Sequence, residues 1–249
     1  VQEPGSMDNG QHNLEMDEAM PAGRAMYPPL PAYYRDAQFQ LIYFRIDPAL
    51  VRAHLPPPLV PDPEGMAMAL GLWAPTCTYG SYAETSLRLR CQFNGQSGFY
   101  TSHQHVNNVA VLCAGRERWG APKEYAEVAF EQCEDQICTR TTQEGIEIMR
   151  LTTRIIGPAT ENEMIPTGLS FRLKIIPRAD APGPAIKQLI SYTAQESKTK
   201  QLHSASADLS FSNTEDCKLD DFAPLQIIGA FHQVMDLTEG HGRVEYDYL

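Results

Sequence analysis

The chain has 249 residues, 43% hydrophobic and 20% charged, a composition typical of a folded globular protein of one or two domains. Its formal net charge is −11, and an acidic chain without a Lys/Arg run repels phosphate backbones, so we expect no nucleic-acid partner. No apolar stretch approaches the roughly 18 residues that span a bilayer, so we expect no membrane partner and a cytoplasmic protein.

The chain begins with a polar segment rich in Met, Gly and Pro. We interpret residues 1–30 as a flexible N-terminal arm, whose first residues, 1–6, resemble an expression remnant before Met7. The segment lacks the apolar stretch of a signal peptide. No composition shift divides the remainder, so residues 31–249 are expected to form a single domain.

Most of the following elements have the pattern of strands. A first strand is predicted over Gln38–Arg45, and Asp47 followed by Pro48 is typical of the start of a short helix. Residues 87–93 alternate apolar and polar side chains, as a strand with one buried face does, and Asn94-Gly95 predicts a hairpin turn.

Residues 146–148 and 169–175 alternate in the same way, and the apolar run Val109–Cys113 suits a buried strand. Phe222–Val234 is the one later helix candidate. Sequential strands joined by turns predict an α+β fold that is mainly antiparallel β, a barrel or sandwich with few helices.

The six cysteines are irregularly spaced and include no Cys-x-x-Cys pair. We therefore expect free, mostly buried thiols and no structural zinc. His103 and His105 share one strand face, but no third ligand stands out, so packing histidines are favoured over a metal site. The phosphate-loop, dinucleotide, serine-hydrolase and zincin motifs are absent.

The segment from Gly115 to Tyr125 places one lysine, Lys123, among Trp, Ala and Pro residues. Burial in a low-dielectric interior favours the uncharged amine of a lysine, which is the form that attacks carbonyl groups. Composition alone leaves the ordinary alternative open, a solvated lysine after a Gly-Pro turn.

Four stretches in order resemble the acetoacetate decarboxylase superfamily. They span about residues 38–249 and are Tyr82-Ala83-Glu84-Thr85 with the Phe93-Asn94-Gly95 hairpin, Ala114-Gly115-Arg116-Glu117 with Pro122-Lys123, Phe171 to Pro177, and Val244 to Leu249. Acetoacetate decarboxylase is itself a standard example of a lysine activated by its surroundings.

The resemblance implies a cone-shaped closed β-barrel with flanking strands, a homo-oligomer, and catalysis without a metal or organic cofactor. It implies that Lys123 is the Schiff-base lysine and that Glu84 is the acid/base in the pocket. Arg116, seven residues before the lysine, would bind a substrate carboxylate or form an ion pair with Glu117.

Four aromatic residues stand near these motifs. We expect them to line the substrate cavity or to pack beside it. They are Tyr82, Phe93, Trp119 and Tyr125.

The chain also departs from the decarboxylase pattern. Glu124 stands where a second lysine follows the first, so we expect Glu124 to point away from the site. Ala69 stands where a pocket glutamate is found, and Arg35 matches a mouth arginine only with a shifted alignment. Loss of these charges leaves imine formation plausible but weakens the case for acetoacetate decarboxylation.

The resemblance therefore predicts a Schiff-base lyase acting on a small oxo acid. One course is decarboxylation of a β-keto acid such as acetoacetate, and the other is aldol condensation of pyruvate with an aldehyde followed by dehydration. The alternative is a small-molecule-binding barrel that kept the fold without the catalysis.

Overall fold

A computed structural model describes residues 19–21 and 24–249. Most of the predicted N-terminal arm, residues 1–18 and 22–23, lies outside the described residues. The helices are α1 Pro48–His54 and α2 Val109–Trp119, with 3-10 turns at Glu161–Glu163 and Asp220–Phe222. The strands are β1 Ala32–Arg45, β2 Val60–Pro61, β3 Met66–Ala74, β4 Thr76–Cys77, β5 Tyr82–Phe93, β6 Gln96–Val106, β7 Lys123–Tyr125, β8 Glu127–Cys133, β9 Gln136–Gln143, β10 Ile146–Pro158, β11 Leu169–Pro177, β12 Pro184–Tyr192, β13 Gln195–Phe211, β14 Gln226–Glu239 and β15 Arg243–Asp247.

One large sheet contains all of these strands, in the order β15-β12-β11-β6-β5-β3-β1-β14-β13-β10-β9-β8. The short strands β2, β4 and β7 pair with β5, β1 and β6 respectively. Pairing is antiparallel except where β6 meets β7 and β11. The mainly antiparallel α+β prediction is confirmed, but the hydrogen-bonded path has two ends, so closure of the barrel is not.

The sheet is covered on both faces. Along β1, Ile42 and Phe44 point into one apolar cluster, while Leu41 and Tyr43 point into a second cluster on the opposite face. All four side chains are buried. The central strands therefore separate two cores, and the prediction of a single buried face was too simple for them.

Several local predictions are confirmed. The predicted first strand lies within β1. Helix α1 begins at Pro48, and the Asp47 side chain accepts a hydrogen bond from the Ala49 amide at 2.8 Å. Asn94 and Gly95, with φ of 49° and 78°, form the turn between β5 and β6.

Two element predictions were wrong. The apolar run Val109–Cys113 is the first half of α2, which the Asn108 side chain caps by accepting from the Val111 amide at 3.1 Å. Gly120 ends that helix with φ of 69°. The predicted helix Phe222–Val234 is instead largely strand β14, which pairs with β1 on one side and β13 on the other.

The end of the predicted arm packs against α2. Tyr27 is buried, and its hydroxyl donates to Glu117 at 2.5 Å. The guanidinium of Arg118 lies 4.5 Å from the centroid of the Tyr27 ring. Residues just before β1 thus help to fix the helix that leads to the candidate lysine.

All six cysteines are free, as expected, although burial is less uniform than predicted. Cys91 and Cys217 are buried, whereas Cys133 is exposed. In the part of the chain that the structure describes, no helix is long and apolar enough to cross a membrane.

Candidate active site

Lys123 lies at the start of β7, four residues after the end of α2. The residue is 7% exposed, and its strand runs parallel to β6 with Lys123 opposite Gln104. The lysine stem passes directly over the helix at Gly115, because a Cβ there would lie 2.7 Å from the lysine Cε. The glycine of the Gly-Arg-Glu stretch therefore makes room for the lysine side chain.

The amine of Lys123 points at a carboxylate. Its Nζ donates to Glu84 Oε2 at 2.6 Å, and the amide of Gln104 donates to the other oxygen of the same carboxylate. Glu84 is 4% exposed and lies on β5, the neighbour of β6. Three adjacent strands thus place an amine, a carboxylate and an amide on one sheet face.

The electrostatics of this group favour an ionised Glu84. Burial raises the pKa of the Glu84 carboxyl, but the positive charge of Lys123 and hydrogen bonds from Lys123 and Gln104 outweigh it, so the pKa is lowered from 4.5. A carboxylate in contact with the amine can accept its proton and return one later. The predicted catalytic pair, Lys123 and Glu84, is therefore brought together.

Both residues line a cavity of about 600 Å³ on the side of the second apolar cluster. The wall is mixed, with aliphatic side chains from β1, β3 and β14 and polar groups from β5, β6 and β11. A network of hydroxyls lies beside the lysine: Tyr82 donates to the Tyr34 oxygen at 3.3 Å, and Tyr34 donates to Glu239 at 2.9 Å. Burial raises the pKa of both tyrosines well above 10.0, so both remain protonated donors.

The predicted aromatic residues divide into two groups. Tyr82 and Trp119 line the cavity, and the Tyr82 ring centroid lies 5.9 Å from the lysine Nζ. Phe93 belongs to the core on the opposite sheet face, where it packs against Phe171 with centroids 6.3 Å apart. Tyr125 is exposed. Neither Phe93 nor Tyr125 is placed to touch a ligand beside Lys123.

Arg116 lies outside the cavity. Its side chain is exposed, and its Nη1 donates to the backbone carbonyl of Lys123 at 3.0 Å. The geometry therefore makes Arg116 a positioning residue for the lysine backbone, rather than the ligand of a substrate carboxylate that the resemblance implied. Glu117, its suggested ion-pair partner, instead accepts the hydroxyl of Tyr27.

Two arginines of the cavity wall were not singled out from the sequence. Arg88 on β5 and Arg172 on β11 both line the cavity, and Arg172 is 3% exposed. Arg88 is a polar position in the alternation of residues 87–93, which places it on the face opposite the predicted buried one. The alternation correctly gives the face, but it does not distinguish a cavity from bulk solvent.

The structure also shows where the residues that depart from the family pattern lie. Glu124 points away from the lysine, is exposed, and accepts a hydrogen bond from Gln143 at 3.0 Å, as expected. Ala69 is fully buried in the core on the other face, and Arg35 is exposed at 5.6 Å from the Tyr33 ring. Neither position supplies a charge to the cavity.

The His103 and His105 pair faces the side of the sheet opposite Lys123. Their neighbours there include the Phe222 ring, whose centroid lies 5.4 Å from that of His103. Burial lowers the pKa of His103 to about 4. Among the described residues no group of three or more metal-ligating side chains is found.

A buried lysine beside a carboxylate in a partly apolar cavity is an arrangement typical of enzyme sites for small carbonyl compounds. The chain belongs to the acetoacetate decarboxylase family, whose model matches residues 18–249, and it is accordingly a lyase.

Curated relatives and solved structures agree with this family. The chain is 30% identical over 237 residues to the acetoacetate decarboxylase of Burkholderia vietnamiensis and 29% identical over 236 residues to that of Ralstonia nicotianae, covering 93% of this chain and 95% of each relative. The crystal structure of acetoacetate decarboxylase from Legionella pneumophila has the same fold, with a TM-score of 0.88 at 24% identity over 98% of this chain and 99% of that one. The enduracididine biosynthesis enzyme MppR complexed with pyruvate superposes with a TM-score of 0.82 at 16% identity, over 93% and 98% of the two chains.

Proposed function

We propose that the protein is a Schiff-base lyase acting on a small oxo acid, with Lys123 as the nucleophile and Glu84 as the acid/base. The observation that carries the proposal is the contact of 2.6 Å between the two buried side chains at the wall of the cavity. A purely structural ion pair between Lys123 and Glu84 would not require a cavity of substrate size next to the lysine amine.

The first chemical step is formation of an imine. Glu84 takes a proton from the lysine, and the free amine adds to the substrate ketone. The carbinolamine oxygen then leaves as water, giving an iminium that withdraws electrons from the neighbouring carbon. The buried site limits hydrolysis by bulk water.

Two courses lead on from the iminium. If the substrate is a β-keto acid, its carboxylate leaves as carbon dioxide, and the enamine is protonated and hydrolysed to a ketone. If the substrate is pyruvate, its methyl group loses a proton, the enamine carbon bonds to an aldehyde, and the aldehyde oxygen leaves as water. Hydrolysis of that imine releases an unsaturated oxo acid and the free lysine.

The similar proteins support each course in part. The curated relatives are named acetoacetate decarboxylase, whereas MppR was solved with pyruvate and with the condensation product of pyruvate and imidazole 4-carboxaldehyde. The exposed Glu124 and the buried Ala69 depart from the decarboxylase pattern, but both lie outside the cavity and do not separate the two courses.

Borohydride reduction tests the proposal directly. Incubation with pyruvate, acetoacetate or acetone followed by borohydride should leave a covalent adduct on Lys123, identified by peptide mass spectrometry. Lys123→Ala should give none, while Lys187→Ala on β12 should be modified like the wild type. A binding protein without catalysis would bind oxo acids equally well after Lys123→Ala and would trap nothing.

The setting of the enzyme is part of the proposal. We propose a homo-oligomer, whose size sedimentation would give, and a cytoplasmic location, with which six free cysteines are consistent. The curved sheet would enclose the substrate in the manner of a cone-shaped barrel. The proposed chemistry needs no metal and no organic cofactor.

A further inference from the structure

Two guanidinium groups in the wall of the active cavity have no acidic partner. Arg88 Nε donates to the Ser86 hydroxyl at 3.0 Å, and Arg172 Nη2 donates to the Tyr192 hydroxyl at 2.8 Å. Among the described residues, no carboxylate oxygen lies within 4.0 Å of either guanidinium. Glu84 and the other acids that form ion pairs have other lysine or arginine partners.

The two arginines are close enough to influence each other. Burial lowers the pKa of the Arg88 guanidinium, and the charge of Arg172 acts in the same direction, against the opposing influence of Tyr192, Glu84 and Glu239. Like charges on one cavity wall repel each other across a medium of low dielectric. An anion between them would relieve the repulsion.

Further donors in the same wall lack acceptors. Arg172 Nε and Trp119 Nε1 are buried, and neither has a hydrogen-bond acceptor among the described residues. Both side chains pack on Tyr192: the Arg172 guanidinium lies 4.3 Å from its ring centroid, and the Trp119 ring is stacked at 5.9 Å. Buried donors are normally satisfied, and these two belong to side chains that line the cavity, which fits an acceptor supplied by a bound ligand.

A carboxylate that a decarboxylase expels would be a poor ligand for these arginines. Loss of carbon dioxide converts a carboxylate into a neutral molecule, so two guanidiniums would bind the starting state more strongly than the transition state. Interactions of that kind slow the chemical step. A carboxylate that stays on the substrate keeps its charge throughout, and the same two arginines can then hold and orient it without this penalty.

We infer that Arg88 and Arg172 form a binding subsite for a carboxylate that the substrate retains, so that the preferred substrate is a 2-oxo acid of the pyruvate type. The inference rests on the proposed Schiff-base function and selects its aldol course. The carboxylate accepts hydrogen bonds from the guanidiniums, Lys123 attacks the adjacent ketone carbon, and the methyl carbon forms the new bond to the aldehyde. The cavity of about 600 Å³ leaves room for that second reactant.

Trapping with two ketones separates the subsite from the lysine. Pyruvate carries the carboxylate and acetone does not. For each ketone, the concentration that gives half-maximal borohydride trapping is measured for the wild type, Arg88→Met and Arg172→Met. The half-saturating concentration of pyruvate should rise roughly 10- to 100-fold in each variant, the loss expected for a charged hydrogen bond, while that of acetone should change less than about twofold. Arg90→Met, on the same strand but outside the cavity wall, is the matched control.

Arg172→Lys keeps a positive charge, so its affinity for pyruvate should be higher than that of Arg172→Met. A purely structural role of Arg172 does not predict this partial recovery. With acetoacetate, the trapped wild-type adduct should retain the mass of the carboxylate. The inference is overturned if pyruvate trapping is unchanged in both methionine variants, or if the wild type releases carbon dioxide from acetoacetate faster than it condenses pyruvate. Failure of the wild type to trap acetone or pyruvate would instead overturn the proposed function itself.

Discussion

Lys123 and Glu84 are in direct contact, so the Glu84 carboxylate is placed to exchange a proton with the lysine amine. Gln104 fixes the carboxylate from its other side. The lysine and the glutamate come from separate strands, 39 residues apart in the chain. Sequence spacing alone gives no reason to pair them; the family resemblance predicted both, and the structure shows that they touch.

Glu84→Gln should separate imine formation from turnover. The amide keeps the size of the side chain but cannot exchange a proton, so we expect turnover to fall by roughly 100- to 10,000-fold, as is typical for loss of an acid/base. Borohydride trapping on Lys123 should persist at long incubation. Turnover within about tenfold of the wild type would contradict the assignment.

The same scale contains the residues that sequence reasoning missed. Arg88 and Arg172 lie in strands that were predicted correctly, at polar positions of an alternation that predicts one buried face. Alternation identifies a face of the sheet, but a cavity is closed by segments distant in the chain. The segment between 161 and 168, which completes the wall, has no periodic pattern from which its place in a cavity could be predicted.

Arg172→Met should stabilise the protein in the absence of substrate. The substitution replaces a buried charge without an acidic partner by an apolar side chain of similar length, which removes the desolvation cost of that charge and should raise the free energy of unfolding by about 1–4 kcal/mol. Urea unfolding monitored by circular dichroism measures the change, with Arg90→Met as the control. A loss of stability would show that the guanidinium serves the fold through Tyr192.

At the level of elements, helix α2 and strand β7 act together to place the lysine. Arg116 on the helix donates to the lysine carbonyl, Gly115 makes room for its stem, and Gly120 turns the chain between them. The Gly-Arg-Glu and Pro-Lys stretches thus describe one structural unit. Its helix was misread because five apolar residues in a row, Val109–Cys113, fit a strand and a helix equally well.

Gly115→Ala should impair catalysis while leaving the fold intact. The added Cβ would stand 2.7 Å from the lysine Cε, so the stem must move away from Glu84. We expect turnover to fall by roughly tenfold or more, because small displacements of reacting groups are costly. Gly157→Ala, where a Cβ would meet no atom within 4 Å, is the matched control. Equal activity of the two variants would show that the lysine adapts without loss.

The second misread element shows the limit of local patterns. Residues 222–234 have an apolar face at helical spacing, yet β14 pairs along its length with β1 and β13, both remote in sequence. Those long-range hydrogen bonds and the burial of Phe231 and Ala230 decide its conformation. By contrast, the Asp47-Pro48 helix start and the Asn94-Gly95 turn depend on neighbours in the chain, and both were predictable.

On the scale of the whole molecule, a sheet covered on both faces buries polar groups as well as apolar ones. His103 lies on the face opposite the lysine, and His232 on β14 stacks beside His203, with ring centroids 6.3 Å apart. Burial lowers the pKa of His103 and of His232 from 6.5 to about 4, and neighbouring histidines act in the same direction. Between about pH 4 and 6.5 both imidazoles are therefore mostly neutral in the folded protein and mostly charged in the unfolded chain.

These two histidines predict a loss of stability on mild acidification. Between pH 6.5 and about 4 the unfolded chain binds protons that the folded protein does not, so the free energy of unfolding falls as pH falls through that range. The lowered pKa of the Glu84 carboxyl changes the free energy of unfolding only below pH 4.5, so the change at higher pH in this range is assigned to the histidines.

The substitution His232→Gln removes one of these titrating groups. The free energy of unfolding of the variant should therefore decrease less on acidification than that of the wild type, with a difference of up to about 3 kcal/mol at the acid end of the range. Thermal melts across the range measure this difference, with the exposed His241→Gln as control; parallel curves for wild type and His232→Gln would assign the acid sensitivity to other groups.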